Sequence, residues 1–141
     1  MKALYVAEAT ATGGREGRVR SSDGALTVDL AIPKELGGVT SNPEQLFAAG
    51  YAACFENAFR LAARRKRIRP GDTSVTARVG IGPDDAGGFG LSVELHVRAS
   101  DLGTAQSEEV ATDAERVCPY SNAVRGNIDV KFIIDPQPEV V

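Results

Sequence analysis

The amino-acid sequence predicts an α+β fold, and two observations support that prediction. Segments with a two-residue hydrophobic period, which is typical of strands, cluster ahead of and between helical segments instead of alternating with them one by one. A long alanine-rich segment over residues 43–65 separates these clusters and carries helix signals at both ends. The length of 141 residues is usual for one domain, so we expect a single domain over residues 1–141.

Three strands are predicted in the first third of the chain, over residues 3–11, 16–22 and 26–32. Glycine-containing turns separate them, and the third shows apolar residues at every second position. We expect these strands to form an antiparallel meander. Pro33 is predicted to end the third strand, and Gly37-Gly38 to mark a loop.

The helix predicted from Pro43 to about Arg65 has a strong start, because Asn42 is a good N-cap, Pro43 suits the first position and Glu44 favours the helix dipole. Its many alanines permit close packing on more than one side, so we expect a central helix. The basic run over residues 64–67 is interpreted as favourable charge at the helix C-terminus, rather than as a nucleic-acid patch.

In the second half of the chain, the sequence pattern predicts two strands, two helical segments and a last strand. The strands cover residues 75–81 and 91–97, a helix follows over 104–117, and a short helical turn begins at Pro119. The last strand is predicted over 128–134, with an extended tail at 136–138. His96, the one histidine, falls on the polar side of its strand and is interpreted as a solvated surface residue without a role.

Composition excludes several functional classes. A net charge of −3 disfavours a basic nucleic-acid binder, and no stretch approaches the roughly 18 apolar residues of a membrane span. The first residues show no apolar signal-peptide core, so we expect a cytoplasmic protein. Two cysteines and one histidine are too few for a cysteine/histidine zinc site or a disulfide scaffold.

The two cysteines lie 64 positions apart, a spacing that fits no metal motif and no Cys-x-x-Cys redox site. Cys54, inside the alanine-rich helix, is by composition alone a buried core thiol. Cys118 stands ahead of a helical turn, whose partial positive charge would stabilise a thiolate, although it could also merely cap that turn. If tertiary structure joins the two thiols, the pair suits peroxide chemistry through a sulfenic acid and a disulfide.

Such a thiolate needs a cation nearby, and arginine is suitable because it is always charged. Arg15 follows two glycines that would let the backbone approach another segment, although residue type alone favours a solvated turn residue. Phe47, Tyr51 and Phe55 lie near Cys54 in sequence and either line an apolar substrate pocket or belong to the core.

Two long motifs surround the cysteines. Residues 41–55 are Ser-Asn-Pro-Glu-Gln-Leu-Phe-Ala-Ala-Gly-Tyr-Ala-Ala-Cys-Phe, and residues 117–128 are Val-Cys-Pro-Tyr-Ser-Asn-Ala-Val-Arg-Gly-Asn-Ile. With them, the sequence closely resembles the organic hydroperoxide resistance proteins, the Ohr branch of the OsmC superfamily. The resemblance implies an intertwined homodimer with antiparallel sheets around central long helices and two active sites at the interface.

The resemblance further implies a thiol peroxidase that reduces alkyl and fatty-acid hydroperoxides, binds no cofactor or metal, and is recycled by the dithiol of a lipoylated protein. By position, Cys54 matches the peroxidatic cysteine and Cys118 the resolving cysteine. Arg15 matches the arginine that activates the thiolate, and Glu44 the carboxylate that orients this arginine. Nucleic acid and membranes are not expected partners.

The sequence departs from the family pattern at two places, a shorter loop over residues 37–41 and Ala52 where a serine is common.

On one helix, Glu44 and Cys54 would lie about 15 Å apart along the axis, too far for both to serve one active site within a single chain. We therefore predict that Arg15 and Glu44 of one chain face Cys54 and Cys118 of the other. Two alternatives stay open: a dimeric redox-sensing or binding module without turnover, and an OsmC-like protein with another substrate.

Overall fold

The computed structural model of the chain describes residues 1–32 and 41–136. It divides into two units, Met1–Leu46 and Phe47–Val141. Three features of the sequence analysis lie outside the described residues: the strand end at Pro33, the loop at 37–40 and the tail at 137–138.

The first unit is built on a small antiparallel sheet with the order β1-β2-β3. Its strands are β1 (Ala9–Thr12), β2 (Arg18–Ser21) and β3 (Thr27–Asp29), so the predicted meander is confirmed. Each strand is shorter than predicted. The third gives way after Asp29 to a single parallel bridge between Leu30 and Ser41, because the chain there pairs with the segment that leads into the helix.

Little of the first unit is buried. Among its described residues, Leu30 is the one buried hydrophobic side chain, whereas Leu4, Tyr5, Val6 and Leu26 are exposed. Three short strands with so small an apolar core are marginal on their own, since a sheet needs a covered hydrophobic face for stability.

Helix α1 (Pro43–Arg65) has the predicted bounds. The side-chain oxygen of Asn42 accepts the backbone N–H of Gln45 at 2.8 Å, which confirms Asn42 as the N-cap. The helix ends where Arg67 adopts a left-handed φ of 59° and the N–H of Ile68 bonds to the carbonyl of Ala63. Its buried side chains recur at helical spacing on one stripe: Tyr51, Phe55, Ala58, Phe59, Ala62 and Ala63.

The second unit continues with β4 (Thr73–Pro83), β5 (Phe89–Ala99), α2 (Thr104–Val117), α3 (Pro119–Val124) and β6 (Val130–Ile134). Its sheet has the order β4-β5-β6. The hairpin β4-β5 is antiparallel, but β6 runs parallel to β5, so this sheet is mixed where an antiparallel one was expected. The α2-α3 crossover between β5 and β6 supplies the long connection that parallel strands require.

The core of the second unit lies on one face of this sheet. Alternate residues of β5 are buried, Val93, Leu95, Val97 and Ala99. They belong to one hydrophobic cluster with the buried stripe of α1 and with residues of α2. The α+β class is therefore confirmed. Among the described residues, no helix is long and apolar enough to cross a bilayer.

Candidate active site

In the first unit, Arg15 and Glu44 form a bidentate ion pair. The Nη1 of Arg15 donates to Oε2 of Glu44 at 3.0 Å, and Nη2 donates to Oε1 at 2.5 Å. The guanidinium side chain is 46% exposed, whereas the carboxylate side chain is only 14% exposed. A planar guanidinium held by two parallel hydrogen bonds has a fixed orientation, which a single contact would not provide.

The loop that presents Arg15 depends on glycine. Arg15 lies on a one-turn 3-10 helix, Gly14–Glu16, whose N-cap Gly13 and first residue Gly14 both have a positive φ, of 80° and 63°. A Cβ on Gly17 would lie 1.7 Å from the carbonyl oxygen of Thr12, so no larger residue fits there. The glycines thus allow the tight approach that the sequence analysis expected of them.

The ion pair changes the acid–base behaviour of both partners. The hydrogen bond from Arg15 lowers the pKa of Glu44, against a smaller opposing effect of burial. The hydrogen bond to Glu44 raises the pKa of Arg15. Both groups are therefore charged at neutral pH.

In the second unit, the structure brings the two cysteines together. Cys54 is half-buried on α1, Cys118 is fully buried at the junction of α2 and α3, and both thiols are free. Cys54 and Cys118 are near enough for Cys118 to raise the pKa of Cys54, whereas the backbone N–H of Tyr120 lowers it. Two cysteines that lie 64 positions apart in sequence thus belong to one hydrophobic cluster, where one thiol acts on the other.

Burial is the main cause of a raised pKa at Cys54. The N–H of Tyr120 opposes this effect, because it favours the thiolate, while the neighbouring Cys118 adds to the increase. At Cys118 the side chain makes no capping hydrogen bond to α3, although its carbonyl accepts the N–H of Asn122 at 3.0 Å. The position of Cys118 is therefore that of an N-cap, but its thiol does not act as one.

The three aromatic residues predicted near Cys54 differ in their surroundings. Phe47 is half-buried, whereas Tyr51 and Phe55 are fully buried in the core cluster. The ring of Phe47 makes edge contacts with Tyr51 and Tyr120, at centroid distances of 6.0 and 6.3 Å. Phe55 thus has the core surroundings that were left open as an alternative, and Phe47 is the one of the three with solvent access.

Sequence reasoning gave no role to Tyr120, whose backbone N–H acts on Cys54, or to Ser121, which the structure pairs with Tyr51. The hydroxyls of Tyr51 and Ser121 are 2.7 Å apart in the buried interior. The ring of Tyr120 is 5.6 Å from that of Tyr51, and a Cβ on Gly50 would approach the Tyr120 hydroxyl to 2.7 Å. The glycine one position before Tyr51 was the available signal, since a helix-interior glycine permits a close approach.

Two polar features outside these pairs also have defined partners. His96 lies on the polar side of β5 as predicted, but it is held between Asp135 at 3.1 Å and Glu94 at 3.3 Å. Lys66, within the basic run, pairs with Glu109 and Asp113 of α2. Within the ranges 1–32 and 41–136, no group of three or more metal-ligating side chains occurs.

The sequence and fold have well-defined relatives. The OsmC-like protein family matches residues 36–133. An organic hydroperoxide resistance protein of Xanthomonas axonopodis pv. citri is 53% identical over 137 residues, which cover 94% of this chain and 96% of that protein. The chain belongs to the organic hydroperoxide resistance branch of the OsmC-like family.

Other members of this branch agree with the assignment. The organic hydroperoxide resistance protein OhrA of Bacillus subtilis is 47% identical over 133 residues, covering 90% of this chain and 93% of OhrA. The crystal structure of an organic hydroperoxide resistance protein from Legionella pneumophila superposes with a TM-score of 0.89 at 49% identity, covering 96% of this chain and 100% of that one. OhrB of Bacillus subtilis superposes with a TM-score of 0.87 at 42% identity, covering 94% of this chain and 100% of that one.

Proposed function

We propose that this Ohr-family chain is a cysteine-based peroxidase that reduces alkyl and fatty-acid hydroperoxides to alcohols. The observation that carries the proposal is the interaction of Cys54 with Cys118, two thiols that the sequence separates by 64 positions. The names of the relatives, organic hydroperoxide resistance proteins, support the substrate class. The chemistry requires no bound cofactor or metal.

The reaction balances with a dithiol as the final electron donor. The Cys54 thiolate attacks an oxygen of ROOH, the O–O bond breaks, and protonated alkoxide leaves as ROH, with Cys54 oxidised to the sulfenic acid. The Cys118 thiol then attacks that sulfur, the S–O bond breaks, water leaves and the Cys54–Cys118 disulfide forms. A lipoyl dithiol of an external protein exchanges with the disulfide, restores both thiols and becomes oxidised itself.

The first step requires a thiolate, although the surroundings of Cys54 within its own unit raise the pKa of this thiol. A fixed cation opposes such an increase. Arg15, oriented by Glu44, has the charge and the fixed geometry for this role and could also polarise the peroxide. We assign Arg15 as the activating cation and Glu44 as the residue that positions it.

The protein is proposed to act as a homodimer with sites composed of two chains. Glu44 and Cys54 both belong to α1, and ten residues of helix span about 15 Å along the axis. Arg15 and Glu44 of one subunit would therefore serve Cys54 and Cys118 of the partner. The small buried core of the first unit supports this arrangement. The β1-β2-β3 sheet is largely exposed in the single chain, and a second chain would cover it.

Peroxide consumption by the purified protein tests the chemistry. With dihydrolipoamide as reductant, cumene hydroperoxide should be consumed over many turnovers, and faster than hydrogen peroxide. Cys54→Ser should abolish turnover, whereas Cys118→Ser should allow one oxidation without the intramolecular disulfide. One oxidation per chain in the wild type, with no further turnover, would contradict the peroxidase and favour a redox-sensing module.

Mixed dimers of two inactive variants test the shared site. Refolding Arg15→Ala together with Cys54→Ser yields, for random pairing, heterodimers in half of the population, each with one complete site if the site is shared. About a quarter of the wild-type activity should return, because two-fold symmetry gives each dimer two equivalent sites. No recovery in a mixture shown to contain heterodimers would place each site within one chain.

A further inference from the structure

The chain bends at Cys118, between two helices that meet at this residue. Helix α2 ends at Val117, α3 begins at Pro119, and Cys118 carries the bend with φ −65° and ψ 118°. The last carbonyls of a helix have no intrahelical partner, so other donors must satisfy them. The direction of the Cys118 side chain depends on how firmly this bend is held.

Two side chains from the end of α3 reach back across the bend. The Nη2 of Arg125 donates to the carbonyl of Glu115 at 2.9 Å, and the Nδ2 of Asn122 donates to the carbonyl of Arg116 at 3.2 Å. The Nη1 of Arg125 also donates to Oδ1 of Asn122 at 2.7 Å, which joins the two contacts into one network. The first two hydrogen bonds connect residues after Cys118 to the end of α2 before it, and the third links the two donors to each other.

We propose that Arg125 and Asn122 are positioning residues that fix the bend at Cys118 and hold its sulfur in place to resolve Cys54. The assignment rests on the proposed function, in which Cys118 attacks the oxidised Cys54. Neither residue touches the reacting atoms; both act through the backbone of α2 and α3.

The geometry favours arginine at position 125 for a physical reason. A planar guanidinium serves the Glu115 carbonyl and the Asn122 amide oxygen at once, whereas an ammonium lacks this fixed fork. A second tie holds α3 to α1 through the buried contact between Tyr51 and Ser121. Helix α3 is thus held against both of its neighbours, and a displacement of about 1 Å between reacting groups costs a rate of order a hundredfold.

A substitution at this network should leave the protein folded. Arg125 and Asn122 are exposed, and the core cluster of the second unit contains neither of them. Arg125 borders a cavity of about 180 Å³ that Tyr51 and Ser121 also line, so water has room to replace the lost donors. The effect of a variant should therefore fall on geometry more than on global stability.

Two measurements on Arg125→Gln test the proposal, with Arg98→Gln, an exposed arginine of β5, as the matched control. In a dithiothreitol redox buffer, the equilibrium constant for the Cys54–Cys118 disulfide should fall about tenfold in Arg125→Gln and stay unchanged in Arg98→Gln. In the second measurement, dimedone is added at timed intervals after one equivalent of cumene hydroperoxide. In Arg125→Gln the sulfenic acid should remain available for trapping about tenfold longer than in the wild type, while the rate of its formation stays unchanged.

Wild-type values for both quantities in Arg125→Gln would overturn the proposal. If that variant fails to fold, Arg125→Lys and Asn122→Ala replace it, and equal slowing of oxidation and resolution in both would also overturn it. A wild-type protein that consumes no hydroperoxide would refute the proposed function instead. The redox-buffer equilibrium would still test the role of Arg125, because it requires no peroxide.

Discussion

The two units of the molecule hold their functional groups by different physical means. In the first unit, Arg15 and Glu44 are held by two charge-assisted hydrogen bonds and a glycine-dependent loop, with one buried hydrophobic side chain in the described part of that unit. In the second, Cys54 and Cys118 are held by helices that share a large hydrophobic core.

The difference follows from charge. An ion pair loses much solvation free energy when it is buried, so a partly exposed guanidinium keeps its charge without that cost. A neutral thiol packs in the interior like a small apolar group, but burial then raises its pKa, as at Cys54. Each unit is therefore suited to one half of the chemistry, and the proposed peroxidase needs both.

The largest expected effect is on stability and should separate the two units. Phe59→Ala removes a fully buried ring from the second unit and should lower the free energy of unfolding by about 3–5 kcal/mol. Val28→Ala, at a half-buried site of the first unit, should cost about 1 kcal/mol or less. Urea unfolding followed by circular dichroism measures both.

Protein concentration sharpens this comparison. If the loss in unfolding free energy caused by Val28→Ala grows with protein concentration, a second chain covers the first sheet. A loss below about 1 kcal/mol for Phe59→Ala would contradict the division into a core-poor and a core-rich unit.

The next effect is on the charged half of the site. Arg15→Ala should slow Cys54 oxidation by about a hundredfold, the usual cost of one preorganised electrostatic donor. Gly17→Ala should slow it as well, because the new Cβ would overlap the Thr12 carbonyl and displace the loop. Gly82→Ala, where a Cβ meets nothing within 4 Å, is the control.

Stopped-flow oxidation and the redox-buffer equilibrium together locate this defect. Loss of the Arg15 cation destabilises the Cys54 thiolate and therefore the reduced pair, so Arg15→Ala should shift the Cys54–Cys118 equilibrium toward the disulfide while it slows oxidation. Slowed oxidation with an unchanged equilibrium would contradict the role of Arg15 in stabilising the thiolate.

The smallest effect concerns pH and His96. Hydrogen bonds to Asp135 and then Glu94 raise the pKa of His96 above its ordinary value of 6.5. A raised pKa means that the folded state favours the protonated form, so this stabilisation is complete below pH 6.5 and is lost as pH rises through the folded-state pKa. The melting temperature of the wild type should therefore fall relative to His96→Gln above pH 6.5, and parallel curves would contradict the assignment.

Local signals were sufficient for the helices. Asn42 and Pro43 fixed the start of α1, and the Cys118-Pro119 pair marked the end of α2, because capping and proline geometry act within a few residues. Strands were less predictable. The first three strands are shorter than the segments that the hydrophobic pattern predicted. The parallel pairing of β6 has no local signature, because strand pairing depends on distant partners.

The candidate site divides in the same way. The chain alone supplied two thiols in two long motifs, a glycine-flanked Arg15 and a helix-capping segment with Glu44, all of which are properties of residue type and spacing. Only tertiary structure decided that Cys54 and Cys118 share one hydrophobic cluster, that Arg15 pairs with Glu44, and that Ser121 pairs with Tyr51. These contacts join residues 29 to 70 positions apart, and packing and hydrogen bonding across such separations are set by the whole fold.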